Sequence, residues 1–311
     1  MRLVLVTGAT GFVGKALVAR LVETGRFRVR GAVRRGADYL PTTVERAVVG
    51  DLTPDLNWQL ALSGADAVVH LAGRVHEMRD AAADPLAEFR RVNVAGTLNM
   101  ARQAAVAGVK RFVFVSSVKV NGEGGVYNES DPPAPKDAYG ISKHEAELGL
   151  LAIASETGME VVIIRPPLVY GPGVRANFRL LLRMVARAIP LPLGAIHNRR
   201  SLVAVDNLVD FIITCLEHAA AANETFLVSD GEDLSTTDLI RRLARAMGRP
   251  ARLIPVPTSV LMAGATLLRK GDVAHRLLGS LQVDISKARA LLGWKPPLSV
   301  DEALQRTVAV L

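Results

Sequence analysis

The chain has 311 residues, half of them hydrophobic, which allows two domains or one large α/β unit with an appendage. Its net charge of +8 comes from basic residues that are scattered among acids, and only 5% of the residues are aromatic; this argues against nucleic-acid binding and favours small anionic ligands such as nucleotides. The single cysteine, Cys215, excludes an intrachain disulfide, and no secretory signal or bilayer-spanning run is visible, so we expect a cytoplasmic protein.

The first fourteen residues, MRLVLVTGATGFVG, predict a strand, a glycine turn and the start of a helix. Residues 3–6 form a short apolar run that is typical of a buried parallel strand. Gly8, Gly11 and Gly14 follow at regular spacing, and a helical pattern begins at Lys15. Such a turn presents backbone N–H groups and the positive end of a helix dipole to a phosphate. We therefore predict a dinucleotide pyrophosphate site here.

The spacing G-x-x-G-x-x-G resembles that of the short-chain dehydrogenase/reductase superfamily. Within it, the chain resembles the extended branch of NAD(P)-dependent sugar-nucleotide epimerases, dehydratases and 4-ketoreductases. The resemblance implies a Rossmann-type fold with a smaller C-terminal α+β substrate domain. It also implies cofactor contacts from the turn at Gly8, Thr10, Gly11, Phe12 and Val13.

Short apolar runs alternate with helical patterns across the first half of the chain. Candidate strands are residues 28–33, 46–49, 67–71, 112–116 and 160–164, and candidate helices are residues 15–24, 85–107 and 139–157. This alternation predicts a doubly wound parallel sheet. Asp84 and Asp137 stand where helix N-caps are expected.

The end of the second strand bears on the choice of cofactor. NAD(H) sites commonly place an acid there for the ribose 2′-hydroxyl, whereas an arginine accommodates the 2′-phosphate of NADP(H). Arg34 and Arg35 occupy this region, and the first acid after them is Asp38. We therefore favour NADP(H), with NAD(H) as the alternative.

The resemblance implies further contacts after the third and fourth strands. The implied cofactor contacts are Asp51, Leu52, Leu71, Ala72 and Gly73. Arg74 and His76 are the corresponding substrate contacts, whereas we expect His70 to pack at the strand end. Asn93 matches a cofactor-site position that steadies the neighbouring strand. No cluster of His, Cys, Asp and Glu has the spacing of a metal site, so we expect no metal.

Tyr139 and Lys143 form the Y-x-x-x-K pattern that carries catalysis and cofactor binding in this superfamily. Residues four apart share one helix face, so the ammonium is expected beside the phenol. A nearby cation favours the phenolate, so we expect a lowered pKa for Tyr139. The phenol would then exchange a proton with a sugar hydroxyl or ketone.

A catalytic hydroxyl is expected in SSVKVNG. Aligning VNG with the VYG of the family places this hydroxyl at Ser117, which also contacts substrate, and leaves Ser116 as the alternative. Lys119 is a candidate substrate contact. Lys119 and Asn121 depart from the family, which commonly has a small or hydroxyl residue and a tyrosine at these positions.

Several residues of the second half are assigned by the resemblance alone. Arg165 and Pro166 are expected to line the nicotinamide side. Asn177, Arg200 and Arg276 are expected to contact the substrate diphosphate, and Arg199 is the alternative to Arg200. The ending DISKARALLGWKPP is common among sugar-nucleotide enzymes of this branch. Residues 256–268 are apolar but too short to span a bilayer; we expect a buried or groove-lining helix there, with membrane-surface contact as the alternative.

These features predict an enzyme with two domains. Residues 1–165, with a return at about 201–230, would bind the cofactor, and residues 166–200 and 231–311 would bind the sugar nucleotide. We expect reduction of a UDP-4-keto-6-deoxy-N-acetylhexosamine, a surface polysaccharide precursor. The alternatives are 4-epimerisation of UDP-glucose or UDP-N-acetylglucosamine and a non-catalytic nucleotide-binding scaffold. A homodimer through the helices near 85–107 and 138–157 is also expected.

A 4,6-dehydratase is disfavoured. That reaction usually needs an Asp-Glu pair directly after the catalytic hydroxyl, and Val118 and Lys119 stand there instead.

Overall fold

The computed structural model describes residues 1–34, 40–75, 84–267, 271 and 277–311. Among these residues, seven strands form one sheet in the order β10-β7-β5-β4-β1-β2-β3, and every pairing in it is parallel. Its strands are β1 (Arg2–Thr7), β2 (Phe27–Val33), β3 (Glu45–Val48), β4 (Ala67–His70), β5 (Arg111–Val115), β7 (Glu160–Arg165) and β10 (Thr225–Leu227). The order reverses at β1, which confirms the predicted doubly wound sheet.

Helices cover both faces of this sheet, and others lie outside it. The helices of the described residues are α1 (Phe12–Glu23), α2 (Gln59–Leu62), α3 (Pro85–Phe89), α4 (Thr97–Val106), α5 (Ala138–Thr157), α6 (Ala176–Ala186), α7 (Val205–Glu217), α8 (Thr236–Ala246), α9 (Thr258–Leu267), α10 (Ser286–Leu292) and α11 (Val300–Val308). On one face α1 packs beside α7, and on the other α4 packs beside α5. Because the central strands are covered on both sides, their residues are almost uniformly apolar.

Two helix starts follow the predicted capping chemistry. The Asp84 carboxylate accepts a hydrogen bond from Ala87 N at 3.0 Å, and that of Asp137 accepts one from Gly140 N at 2.7 Å. Both predicted N-caps are therefore confirmed. The chain from α3 to α4 is one continuous helical path whose middle, Arg90–Gly96, is π-helical.

A second, smaller sheet lies outside the parallel one. It comprises β6 (Gly125–Tyr127), β8 (Leu168–Tyr170), β9 (Arg200–Ala204), β11 (Asp233–Leu234) and β12 (Leu281–Val283). The returning segment near 201–230 is thus divided between the two sheets. β10 pairs with β7 in the first sheet, whereas β9 pairs with β8, β11 and β12 in the second.

Helix α9 covers most of the apolar stretch at residues 256–268. None of its ten residues is buried, so the expectation of a buried helix is wrong. Across the parts of the chain that the structure describes, no helix is both long and apolar enough to cross a membrane.

Candidate active site

The glycine turn joins β1 to α1 and leaves the start of that helix open. Gly8 has a φ of +63°, and a Cβ there would lie 3.0 Å from the backbone of Leu71 and Ala72. Gly11 N donates to Gly8 O at 2.9 Å, and the first helical hydrogen bond runs from Lys15 N to Gly11 O. The N–H groups of residues 12–14 precede that bond and point out of the helix start. The turn therefore fits a dinucleotide pyrophosphate.

A buried hydrogen-bond chain fixes the loop that follows β4 against this turn. Thr7 Oγ1 accepts from the N–H groups of Leu71 and Ala72, both at 3.1 Å, and its own hydrogen is directed to His70 Nδ1 at 2.9 Å. His70 Nε2 in turn lies 3.0 Å from Thr97 Oγ1. Burial lowers the pKa of His70 to about 3, so the imidazole is neutral. The interpretation of His70 as a packing residue is confirmed.

Asn93 lies in the π-helical segment and joins this loop to α5. Its Oδ1 accepts from Arg74 N at 2.7 Å, and its Nδ2 donates to Arg74 O at 3.0 Å and to Ser142 Oγ at 3.1 Å. A Cβ at Gly73 would lie 3.0 Å from Asn93 Oδ1, so a side chain does not fit there without movement. The π-helical turn thus presents a side chain that holds two site segments together.

Ser117, Tyr139 and Lys143 meet where β5 and α5 approach each other. Ser117 lowers the pKa of the Tyr139 phenol, and Ser117 Oγ accepts from Lys119 N at 3.2 Å. Lys143 Nζ donates to Val115 O at 2.8 Å. The residues that were predicted from two separate motifs therefore lie on neighbouring elements, and we refer to them together as one constellation.

The electrostatic state of this constellation differs from the one predicted. Burial raises the pKa of Tyr139 to about 12, with a further upward push from the Asp137 carboxylate and a small opposing effect of Ser117. Burial also lowers the pKa of Lys143 to about 8. The predicted lowering of the Tyr139 pKa is therefore wrong for this structure, because the ammonium is directed to the Val115 carbonyl and desolvation dominates.

Ser116, the alternative hydroxyl, points elsewhere. Its N–H donates to Ile164 O at 2.7 Å, and its Oγ is buried with no hydrogen-bond partner within the described ranges. Lys119 is ion-paired with Asp137 and, at 3.2 Å, with Glu123. Its role as a substrate contact stays a prediction.

Arg165 ends β7 and forms a buried ion pair with α5. Its Nε and Nη2 donate to the Glu147 carboxylate, at 3.1 and 2.6 Å, and its Nη1 donates to Asn121 Oδ1 at 3.2 Å. Both charged side chains are buried, with Arg165 7% and Glu147 1% exposed. All three nitrogens of the guanidinium are thus engaged within the protein, so this side chain supports α5 from β7, and the cofactor contact at Arg165 stays a prediction.

Sequence reasoning missed Glu147, although a signal was present. It follows Lys143 by four residues, which places it on the same face of α5.

Pro166 was predicted beside Arg165. Its carbonyl oxygen accepts a hydrogen bond from Val118 N at 3.0 Å, which connects the end of β7 to the loop that carries Ser117.

The predicted nucleotide edge of the site is exposed. Arg34 Nη1 lies 3.5 Å from Asp51 Oδ1, and both side chains are largely in solvent. Leu52 is half-buried, and its Cγ lies 2.9 Å from where a Cβ of Gly96 would stand. Arg35 and Asp38 lie outside the described residues.

The predicted substrate contacts are placed in part. Arg74 has its guanidinium carbon 5.5 Å from the centroid of the Phe89 ring, which packs edge-on against Tyr139 at 6.0 Å. Asn177 is exposed in the first turn of α6, and Arg200 is half-buried with its Nη1 donating to Gly279 O at 3.0 Å.

Two further predicted substrate contacts, His76 and Arg276, lie outside the described residues. Within the described part of the chain, no group of three or more His, Cys, Asp or Glu residues is arranged to hold a metal.

Comparison with known proteins gives a consistent result. A sequence model of the NAD dependent epimerase/dehydratase family matches residues 4–229. A UDP-glucose 4-epimerase from Vibrio cholerae is 48% identical over 309 residues, which cover 98% of this chain and 94% of that protein. The matched region includes the glycine turn and the Ser117, Tyr139 and Lys143 constellation.

Solved structures share the whole fold. The structure of MoeE5 in complex with UDP-glucuronic acid and NAD is 28% identical, with a TM-score of 0.78 over 99% of this chain and 98% of that one. The UDP-N-acetylglucosamine 4-epimerase from Bacillus cereus has a TM-score of 0.81 at 21% identity, over 98% of this chain and 97% of that one. The second of these similarities concerns the fold alone.

Proposed function

The chain belongs to the NAD dependent epimerase/dehydratase family, and from this premise we propose that it is a UDP-sugar 4-epimerase. It is an NAD(P)-dependent enzyme of sugar-nucleotide metabolism, a class that contains both reductases and epimerases. The observation that carries the choice of reaction is the end-to-end similarity to the Vibrio cholerae UDP-glucose 4-epimerase. The substrate class that follows is a nucleoside diphosphate hexose, with UDP-glucose as the first candidate.

The proposed chemistry assigns the proton to Tyr139 and the orientation of the substrate to Ser117. The C4 hydroxyl of the sugar loses its proton to the Tyr139 phenolate, while the Ser117 hydroxyl hydrogen-bonds the same oxygen. When bound, the nicotinamide group accepts the C4 hydride and returns it to the opposite face, so the reaction has no net oxidation. Lys143 supplies a buried positive charge one helical turn along α5 from Tyr139, with its Nζ donating to Val115 O.

The reductase that we expected from the sequence is now the less favoured alternative. It rested on short stretches, SSVKVNGE and SLQVDISKAR, whereas the similarity to an epimerase extends over almost the entire chain. The non-catalytic scaffold is also less favoured, because the chain retains all three of Ser117, Tyr139 and Lys143.

The cofactor proposal is NAD(H), because MoeE5, a relative at 28% identity, binds NAD. The preference for NADP(H) stays a prediction that rests on Arg34 and Arg35. Arg34 is exposed and its Nη1 lies 3.5 Å from Asp51 Oδ1, so its guanidinium is accessible to a ribose 2′-phosphate as far as the described residues show.

We also propose the cytoplasm as its compartment and a homodimer as its assembled state. The buried, unpaired Cys215 fits a reducing environment. The exposed Leu148 and Leu151 on α5 provide apolar surface for the dimer.

The test is C4 inversion in the absence of any added reductant. Purified protein is incubated with UDP-glucose and a catalytic amount of NAD, and UDP-galactose is quantified by chromatography against the Tyr139→Phe variant. An epimerase approaches a mixture of the two sugars without net change in NADH absorbance. Stoichiometric NADPH oxidation by a UDP-4-keto-6-deoxy sugar, with no inversion of UDP-glucose, would instead identify the reductase.

A further inference from the structure

Helix α9 presents apolar side chains to solvent. Its sequence, TSVLMAGATL, contains no charged residue, and none of its residues is buried. Val260 is 57% exposed and Leu267 is 86% exposed, and Ile254, just before the helix, is half exposed as well. Thr258, Leu261, Met262 and Ala265 are half-buried, so one side of α9 faces the protein while its other side is an apolar surface that no other described residue buries.

The surrounding sequence is strongly basic. Residues 239–271 carry no acid and a net charge of +7, which is close to the +8 of the whole chain. The cations are therefore less evenly scattered than we assumed from composition. They are Arg241, Arg242, Arg245, Arg249, Arg252, Arg269 and Lys270. Arg241 pairs with Asp238 of its own helix, and Arg242 pairs with Glu232 and Asp301. Arg245, Arg249 and Arg252 are exposed.

We propose that α9, together with Arg245, Arg249 and Arg252, is a contact for the surface of an anionic phospholipid bilayer. Amphipathic membrane-surface segments combine apolar side chains, which enter the acyl boundary, with arginine or lysine, which binds lipid phosphates. Each cation near an anionic surface contributes about 1 kcal/mol. With ten residues, α9 is about 15 Å long, so it lies in the interface and does not cross the bilayer.

The charge distribution favours a bilayer over a second copy of the chain. A twofold contact through α9 would bring the same exposed arginines of both copies together, with no acid of residues 239–271 to neutralise them. An anionic bilayer instead complements both features at once. A nucleic acid would satisfy the arginines but not Val260 and Leu267.

The contact lies beside the proposed substrate region. Leu191 N donates to Arg252 O at 2.9 Å and Gly194 N donates to Ile254 O at 3.0 Å, which anchors the entry to α9 on the chain between α6 and β9. Beyond α9, Gly279 O accepts from Arg200. The bilayer contact would thus hold the substrate domain, and not the parallel sheet, at the membrane.

The experiment is flotation of the full chain with large unilamellar vesicles. Vesicles of phosphatidylcholine alone are compared with vesicles that also contain phosphatidylglycerol, at low and at high salt. We expect binding only to the anionic vesicles and weaker binding at high salt. The double variant Arg249→Ser/Arg252→Ser should weaken binding about 30-fold, which corresponds to about 1 kcal/mol per cation.

A matched pair of leucines tests the apolar part. Leu267→Ser should weaken binding about 10-fold, because one leucine no longer enters the acyl region. Leu60→Ser removes an equally exposed leucine from α2, at 90% exposure, and should leave binding unchanged. Light scattering without vesicles gives the molecular mass of each variant in solution and so detects any self-association of the chain through α9.

Three results would overturn the proposal. They are absence of binding to anionic vesicles, equal effects of the two leucine variants, and a halved mass for Leu267→Ser, which would identify a second copy as the occupant of α9. Because flotation needs no substrate, these results are independent of those of the epimerase assay.

Discussion

The buried ion pair between Glu147 and Arg165 offers a sharp test of how the active-site helix is held. Glu147→Gln keeps the size of the side chain but removes the charge that faces the guanidinium. Arg165 then remains buried at 7% exposure without a counter-charge, although Asn121 still accepts from its Nη1. Removing one partner of a buried pair costs about 3–5 kcal/mol, which is a large part of the about 5–15 kcal/mol that stabilises a typical protein.

The same helix provides the control. Glu145 accepts from Arg90 Nε and Nη2, at 2.9 and 2.6 Å, but this pair lies at the surface. We expect Glu145→Gln to cause a loss too small to resolve in urea denaturation followed by circular dichroism. Because both variants remove one carboxylate from α5, the difference between their midpoints isolates the effect of burial.

A double variant completes the design. Replacing both partners, as in Glu147→Leu/Arg165→Met, removes the uncompensated charge and should recover most of the stability that Glu147→Gln loses. Equal losses for the Glu145 and Glu147 variants would refute the argument from burial. A double variant that is no more stable than Glu147→Gln would refute the argument from charge.

Three further predictions follow from the site. Tyr139→Phe should lower turnover by at least about 100-fold while calorimetry shows unchanged cofactor affinity; near-normal turnover would remove the assignment of the base. The pKa of Lys143 is lowered to about 8 from 10.5, so the unfolded chain binds more protons than the folded chain between these values. The free energy of unfolding should therefore rise from pH 8 to pH 10, and Lys143→Met should abolish that rise. A free energy of unfolding that does not change with pH over this range in the parent chain would contradict the prediction. Arg34→Ala should weaken binding of NADPH and not of NADH; an unchanged ratio of the two dissociation constants would reject the 2′-phosphate contact.

Local sequence signals located much of this structure. The glycine turn, the aspartate caps and the spacing of Tyr139 and Lys143 are each determined by neighbours within a few residues. Backbone geometry then permits few alternatives: a tight turn needs Gly8 at positive φ, and an i,i+4 pair shares a helix face.

The features that sequence reasoning missed depend on contacts between distant segments. Arg165 was identified as the end of a strand at the predicted site, but its side-chain partners come from α5 and from the loop after β5 and were not predicted. β9 joined the second sheet because its partners include β12, about 80 residues away. The pKa of Tyr139 followed from the amount of protein packed around the phenol, which no spacing pattern specifies.

The charges along α5 show why the fold needs these distant partners. Asp137 caps the helix and raises the pKa of Tyr139, and its carboxylate is ion-paired with Lys119. Glu147 raises the pKa of Lys143 against the larger effect of burial, and its carboxylate is ion-paired with Arg165. At neutral pH the site therefore holds a protonated phenol and, one helical turn further along α5, a charged ammonium. Additional positive charge near this phenol would lower its pKa and favour the phenolate. An oxidised nicotinamide ring would supply such a charge when bound, and Tyr139 would then accept the substrate proton in the presence of the hydride acceptor.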